Sequence, residues 1–397
     1  MKTLRRMCAR SRWRRFFQSC SMLPLVLTLM CSKPGENTLK LHWQSIPPLP
    51  PEAGKEVQPG VAGALAGAHG AYMMVAGGAN FEKGMPWEGG PKLLHDTIFL
   101  LSGQDGWRQL KEVLPRPTAY AACVSLPQGV LAAGGDIEGG QTGEVFLFAF
   151  TGGNLQTTSL PPLPGPVSAA GAAVIAGNQV YLGGGMDAGG ACAGFYLLEM
   201  NHPEKGWMIL PPLPQPLSHL VVVSQHDGVE MCVYVLGGRF RDGEVSTFSS
   251  DICKYTPSKR TWQREGSILC DGRTCALSAG TGIAVGERYI LLIGGDRGDL
   301  FNKTERFNNE IEQAASEAER AELSRRKTAH LTGHPGFSRK ILGYDTIQRT
   351  WSTLGETPEA AQVTTPVFYL GRTIVIPSGE VRPGIRTPHV AGLRIED

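Results

Sequence analysis

One pattern constrains the fold of this chain more than any other: a strand-like run that ends in Gly-Gly, or a near variant, occurs six times. The copies are "MMVAGG", "VLAAGG", "VYLGGG", "VYVLGG", "ILLIGG" and "IVIPSG", ending at Gly78, Gly135, Gly185, Gly238, Gly295 and Gly379. The first five recur at intervals of 50 to 57 residues and the sixth follows after 84, which places an insertion before it. A second landmark alternates with the first: a strand bearing Trp43, Trp107, Leu155 in the Trp place, Trp207, Trp262 or Trp351, mostly leading into a proline-rich turn. Apolar strands such as "DTIFLL", "EVFLFAF" and "DICKYT" lie between the two. A period of this length means a supersecondary unit that cannot bury its faces alone and must stack on its neighbours. Glycine lets inner strands crowd together, and a large indole fills the space between units. The 51 glycines and 28 prolines agree with many short strands and turns.

The alternation resembles Kelch repeats, which build β-propellers of four-stranded blades. The expected fold is all-β, a six-bladed Kelch-type propeller over residues 38–397. The segment Leu39–Ile46 carries a Trp strand with no Gly-Gly strand before it, and "VAGLRI" (Val390–Ile395) follows a Gly-Gly strand with no Trp strand after it. Each end supplies what the other lacks, so the N-terminal strand is expected to complete the last blade and remove free sheet edges. Loops after the Gly-Gly strands then ring one mouth of the central channel, bringing Ala79, Asn80, Asp136, Met186, Asp187, Arg239, Asp296, Arg297 and Glu380 to one face. Pro-rich turns with Arg116, His219 and Arg273 are candidates for the same face. The insertion spans 296–338. Within it Phe307, Ile311, Ala314 and Ala318 stand at helical spacing, and Gly333 and Pro335 would end the helix. It reads either as a solvated surface helix or as a wall over the channel mouth.

The first fifteen residues carry seven Lys and Arg and no acid, and the short apolar run "MLPLVLTLM" follows. The run is too short to span a membrane, and the order reads as an export signal over residues 1–31. Cys31 stands where a bacterial lipoprotein would carry its lipid, although "TLMC" lacks the usual small residue before the cysteine. An ordinary signal and a lipid anchor to the membrane both remain open; either implies the periplasm. Residues 1–30 hold seven positive charges and no negative ones, so without them the formal charge moves from +2 to −5. A mildly acidic mature protein is a poor candidate for nucleic-acid binding. No cysteine pair has CxxC spacing, which disfavours a zinc site, and Cys270 with Cys275 is a candidate loop disulfide.

The stretch "PSGEVRPGIRT" holds the chemistry. Glu380 follows a glycine at a strand end, and Arg386 lies six residues on, across a turn at Pro383-Gly384. A carboxylate can accept a hydroxyl proton, and a guanidinium can grip a carboxylate through two parallel hydrogen bonds. The same pair also fits a structural ion pair at a blade end.

The stretch "SGEVRPGIRT", together with "GGANF" and "IGGDRGDLFNKTERFNNEI", resembles the N-acetylneuraminate epimerases, or sialic acid mutarotases, with the blade order rotated as in a cyclically permuted subfamily. The resemblance covers the chain from about Leu39. It implies an isomerase that interconverts the α and β anomers of N-acetylneuraminate by acid–base ring opening and reclosure. In that reading Glu380 is the proton acceptor and Arg386 a catalytic or substrate-contacting partner, with no metal and no organic cofactor. Arg239 and Asn80 join them as expected substrate-binding residues, from loop position alone. The rival readings are a non-enzymatic propeller that binds a glycan or protein, a sialidase-like protein, and a copper-using Kelch oxidase. The chain shows no Ser-x-Asp-x-Gly-x-x-Trp box, and nothing singles out a Tyr, His and Cys ligand set.

Overall fold

The computed structural model describes residues 39–103 and 105–396. Its strands form six four-stranded antiparallel sheets. The first blade runs Leu65–His69, Tyr72–Ala76, Thr97–Ser102 and Gly106–Val113 from the axis outward. The next four repeat this order, beginning at Ala122–Leu126, Gly171–Ile175, Val221–His226 and Thr281–Val285. The sixth holds Phe368–Leu370, Thr373–Pro377 and Val390–Glu396, with Lys40–Ile46 as its outer strand, paired from Lys40↔Glu396 to Ile46↔Val390. Six apolar clusters occupy the six spaces between neighbouring blades, including Val61, Met73 and Val75 of the first blade against Phe368, Val375 and Val390 of the sixth.

Both repeating landmarks have a physical role. The indole N–H groups of Trp107, Trp207 and Trp262 donate to the carbonyls of Pro47, Pro161 and Pro211, at 2.7, 3.0 and 2.9 Å. Each such bond stitches an outer strand to the proline-rich linker that precedes its blade, and contributes about 1 kcal/mol. The first glycine of a pair lies against the linker of the next blade: a Cβ on Gly237, at φ +65°, would stand 2.1 Å from the Leu277 carbonyl oxygen. That same carbonyl accepts the N–H of Gly238 at 2.8 Å. Any side chain there would force the blades apart.

A further sixfold feature lies at the axis. Gly63, Tyr120, Ala169, His219, Ala279 and Thr364 all have φ between +50° and +64°. Each N–H donates to the carbonyl of its predecessor, and Gly63 donates to Thr364, so six bonds of 2.6 to 2.9 Å form an unbroken ring. The residue before each member bridges to the residue after a Gly-Gly pair, or after Ser378-Gly379 in the sixth blade: Ala62 to Ala79, Ala119 to Asp136, Ser168 to Met186, Ser218 to Arg239, Ser278 to Asp296, and Val363 to Glu380. The channel mouth is thus built on six equivalent positions.

Five blades follow this position with a small two-stranded hairpin. The fifth instead carries two helices, α1 (Asp299–Gln313) and α2 (Glu317–Thr332). A single helix across Ala314 and Ala318 is therefore not formed. Ser316 caps α2 by accepting from the Glu319 N–H at 3.2 Å, while Glu319 accepts from the Ala315 N–H at 2.9 Å. This N-cap starts a new helix where the periodicity alone runs on. Gly333 is the C-terminal cap. Cys270 and Cys275 are joined by a disulfide; Cys123, Cys192, Cys232 and Cys253 are free thiols. The leader and Cys31 lie outside the described residues.

Candidate active site

A cavity of about 400 Å³ opens above the ring. Tyr120, Ala169, His219, Ala279 and Thr364 of the ring form its floor, and Asp136, Met186, Arg239, Asp296 and Glu380 stand around it. One side is mostly apolar, with Leu300, Phe301, Leu331 and Phe337, and Thr304 and His334 are its polar members. The insertion is therefore a cavity wall. It is fastened to the fourth blade, where the Ser246 N–H and hydroxyl donate to the Glu305 carboxylate at 2.6 and 3.0 Å.

Glu380 and Arg386 are cross-strand partners in the hairpin Glu380–Arg382/Ile385–Arg386. This explains the six-residue spacing: Pro383-Gly384, with Gly384 at φ +78°, turns the chain so that both side chains share one face. Arg386 donates from Nη1 to Glu380 Oε1 at 2.6 Å, and the Gly384 N–H donates to the same oxygen at 2.8 Å. Among the described residues, no hydrogen-bond partner meets Oε2. The Arg386 side chain is 5% exposed and that of Glu380 18%. Arg386 also lies 4.9 Å over the Phe81 ring and points Nε at the Ala79 carbonyl, 3.4 Å away. It is enclosed behind Glu380 and is not part of the cavity lining. The long loop of the first blade clamps this hairpin from outside, with Pro86 and Trp87 packed on Gly384.

Arg239 has a different environment. Its guanidinium lines the cavity, 4.4 Å from the Phe301 ring and 5.8 Å from that of Phe248. Among the described residues no carboxylate lies within 4.0 Å of it. Burial pulls its pKa below the ordinary arginine value, and the fields of Asp296, Glu305 and Glu380 oppose that shift. Arg239 Nη2 donates to His219 Nε2 at 3.4 Å, and His219 Nδ1 lies 3.2 Å from Ser218 Oγ. Ser218 gives its own proton to the Arg239 carbonyl at 3.2 Å. The network assigns the His219 proton to Nδ1. Burial first, then Arg239 and Lys92, hold this imidazole well below its usual pKa, so it is neutral.

Asn80 does not face the cavity. It is 2% exposed, and its amide donates to the Gly60 carbonyl at 3.3 Å and to Glu82 at 3.1 Å, while its Oδ1 meets His95 at 2.9 Å. With its amide committed on both sides, Asn80 holds the first-blade loop, and the expectation of substrate contact is corrected. It is the second residue after its glycine pair, and strand alternation turns it away from the mouth. Arg116 pairs with Glu144 at 2.9 Å beside a neighbouring recess, and Arg273 lies exposed on the hairpin Leu269–Cys270/Arg273–Thr274. Sequence reasoning did not single out Tyr120, Lys92, His334 or Phe301. Tyr120 was findable: "TAY", "VSA", "LSH", "LSA" and "QVT" align once the ring is known, with Tyr120 and His219 as the large members.

Fold and site together define a six-bladed β-propeller whose mouth cavity is lined by a carboxylate and by a guanidinium that has no carboxylate within 4.0 Å among the described residues. The family model described as N-acetylneuraminate epimerase matches residues 32–157 and 160–397, and the chain belongs to that family. A protein named N-acetylneuraminate epimerase from Salmonella paratyphi B is 26% identical over 233 residues, 58% of this chain and 57% of the relative. One of the same name from Brucella melitensis biotype 1 is 40% identical over 121 residues, 28% of this chain and 31% of the relative. The matched stretches thus span little more than half the length of these relatives, or less.

Proposed function

We propose that the protein interconverts the α and β anomers of N-acetylneuraminate. The observation that carries this reading is that one cavity holds a positioned carboxylate with one oxygen uncommitted and a guanidinium with no counter-ion, both among the described residues. A sugar acid supplies both missing partners: an anomeric hydroxyl for Glu380 and a carboxylate for Arg239. A bidentate grip by Arg239 would hold the C1 carboxylate beside C2. Glu380 Oε2 then takes the C2 hydroxyl proton as the ring opens, and the ketone closes again from its other face. Arg386 acts by orienting the Glu380 carboxylate through the 2.6 Å bond to Oε1. The acid–base contribution expected of one such group is on the order of 10² to 10⁴ in rate. The apolar wall of Phe301, Leu331 and Phe337 suits the N-acetyl methyl, and the Lys92–Asp136 pair, at 2.9 Å, suits the polyol tail.

The blade order is read as rotated relative to the family's better-known members. Such rotation lets one linear alignment span only part of each chain, in keeping with the partial coverage of the Salmonella relative. Export to the periplasm, with or without a lipid on Cys31, is part of the same reading, and the Cys270–Cys275 bond supports an oxidising compartment.

The test is proton NMR of freshly released α-N-acetylneuraminate. The protein is expected to speed appearance of the β anomer over buffer. Binding of the sugar acid without acceleration would favour a glycan-binding module instead.

A further inference from the structure

Opening a pyranose ring requires proton handling at two oxygens. One proton leaves the anomeric hydroxyl, which Glu380 accounts for; another must reach the ring oxygen. The cavity offers few donors. Guanidinium groups do not release protons in this range. Lys92 is tied to Asp136 and is 43% exposed. His219 keeps its proton on Nδ1, against Ser218 and away from the cavity. His334 accepts the Gly336 N–H on Nδ1 at 3.0 Å, so its proton is on Nε2, but burial holds the ring neutral, and a neutral imidazole N–H is a far weaker acid than a phenol.

Tyr120 remains. It belongs to the axial ring, with φ +58°, and its N–H donates to the Gly63 carbonyl at 2.7 Å. Its aromatic ring rests on the bare Cα of Gly63: a Cβ there would stand 2.6 Å from Tyr120 Cγ and Cδ1. Lys92 Nζ lies 5.3 Å over the same ring. Tyr120 lines the cavity with Glu380, and the charge of Arg386 acts on its phenol.

We propose that Tyr120 is the general acid that protonates the ring oxygen, an inference that rests on the sugar-acid reading of the cavity. In the opening step the O–H bond at C2 breaks, with its proton passing to Glu380 Oε2. The electron pair of the C2–ring-oxygen bond goes to that oxygen, which takes the phenolic proton. The C2 ketone forms, and the enzyme holds a carboxylic acid and a phenolate. After rotation about C2–C3 the ring hydroxyl attacks C2 from the other face and returns its proton to Tyr120, while the C2 oxygen recovers its proton from Glu380. No proton is gained or lost over the cycle. Burial raises the Tyr120 pKa to about 12, so the proton is present at neutral pH, and Arg386 stabilises the phenolate formed as it leaves.

The experiment compares the full protein with Tyr120→Phe and His334→Gln in the anomer assay, with binding of the sugar acid measured by calorimetry. Tyr120→Phe is expected to lower kcat on the order of 10²-fold, with Kd within about threefold and a smaller loss of kcat in His334→Gln. Replacing Tyr120 by 3,5-difluorotyrosine, which keeps the hydroxyl and the packing on Gly63, should move the alkaline limb of the pH–rate profile to lower pH. A merely structural tyrosine would leave that limb in place. Full activity in Tyr120→Phe, an unmoved limb, or a larger loss at His334 than at Tyr120 overturns the proposal while the epimerase reading stands. No acceleration by the unmodified protein overturns both.

Discussion

The mouth hairpins of the fourth and sixth blades begin at equivalent positions and reach opposite outcomes. Each starts on the residue after the repeated pair, Gly237-Gly238 or Ser378-Gly379, bridged to the residue before a ring member: Ser218 to Arg239, and Val363 to Glu380. In the sixth blade the arginine is on the returning strand, its charge spent on Glu380 at 2.6 Å. In the fourth the arginine opens the hairpin and meets two aromatic faces and a neutral imidazole. Arginine tolerates that setting because its flat, weakly hydrated cation stacks on rings. A desolvated charge without a counter-ion still costs free energy, so the fourth-blade site gains by receiving an anion. One scaffold position thus serves a group whose charge is internally balanced and another whose charge has no carboxylate partner among the described residues.

If that division holds, the two hairpins should fail in different ways when altered. The largest effect is expected for Glu380→Gln, which keeps shape and loses the base: kcat in the anomer assay should fall on the order of 10³-fold, with sugar-acid binding retained in calorimetry. Next comes Arg386→Met, which leaves the Glu380 carboxylate without its closest partner and should lower kcat on the order of 10²-fold with a small change in KM. Arg239→Met should instead raise KM roughly 10- to 100-fold, the worth of a charged hydrogen bond of about 1.5–3 kcal/mol, with kcat within a few-fold. A KM defect at Arg386 paired with a kcat defect at Arg239 would reverse the assignment of roles.

Much of this architecture is written in local sequence, because the physical demand at each repeat is local. Gly237-Gly238 and Trp262 are legible since close backbone approach tolerates no Cβ and an inter-blade space needs an indole. Glu380 and Arg386 are legible since Pro383-Gly384 fixes a turn between them. Arg239 follows from its place in the repeat, but its lack of a carboxylate partner does not, because that depends on which residues of α1 pack against it. Asn80 fails for the matching reason: nothing local announces that Gly60, Glu82 and His95 consume its amide. Tyr120 escapes notice because the ring it joins is made of backbone bonds between blades, which leave only a weak side-chain pattern. The split of the insertion into two helices turns on Ser316 and Glu319, a cap that the apolar spacing of Phe307 and Ile311 does not register.

The smallest effect concerns protonation, and it separates the hairpins once more. Arg239 leans on an imidazole that must stay neutral, whereas Arg386 donates to the Glu380 carboxylate. Burial is the first cause of the depressed pKa at His219, and also at His95 and His334. The unfolded chain protonates these histidines near their ordinary value of 6.5 while the folded chain does not. Below pH 6.5 the unfolded state therefore binds more protons, and stability falls as pH drops toward the depressed folded values; above 6.5 this source is silent. The slope is at most about 1.4 kcal/mol per pH unit for each histidine. Urea midpoints measured from pH 5 to 7.5 should show the fall. His219→Asn should make it shallower by up to one proton, since asparagine tolerates the φ of +52° at this position and does not titrate. An unchanged slope in His219→Asn would mean that position 219 takes up a proton as readily folded as unfolded, and that Arg239 does not depend on a neutral neighbour.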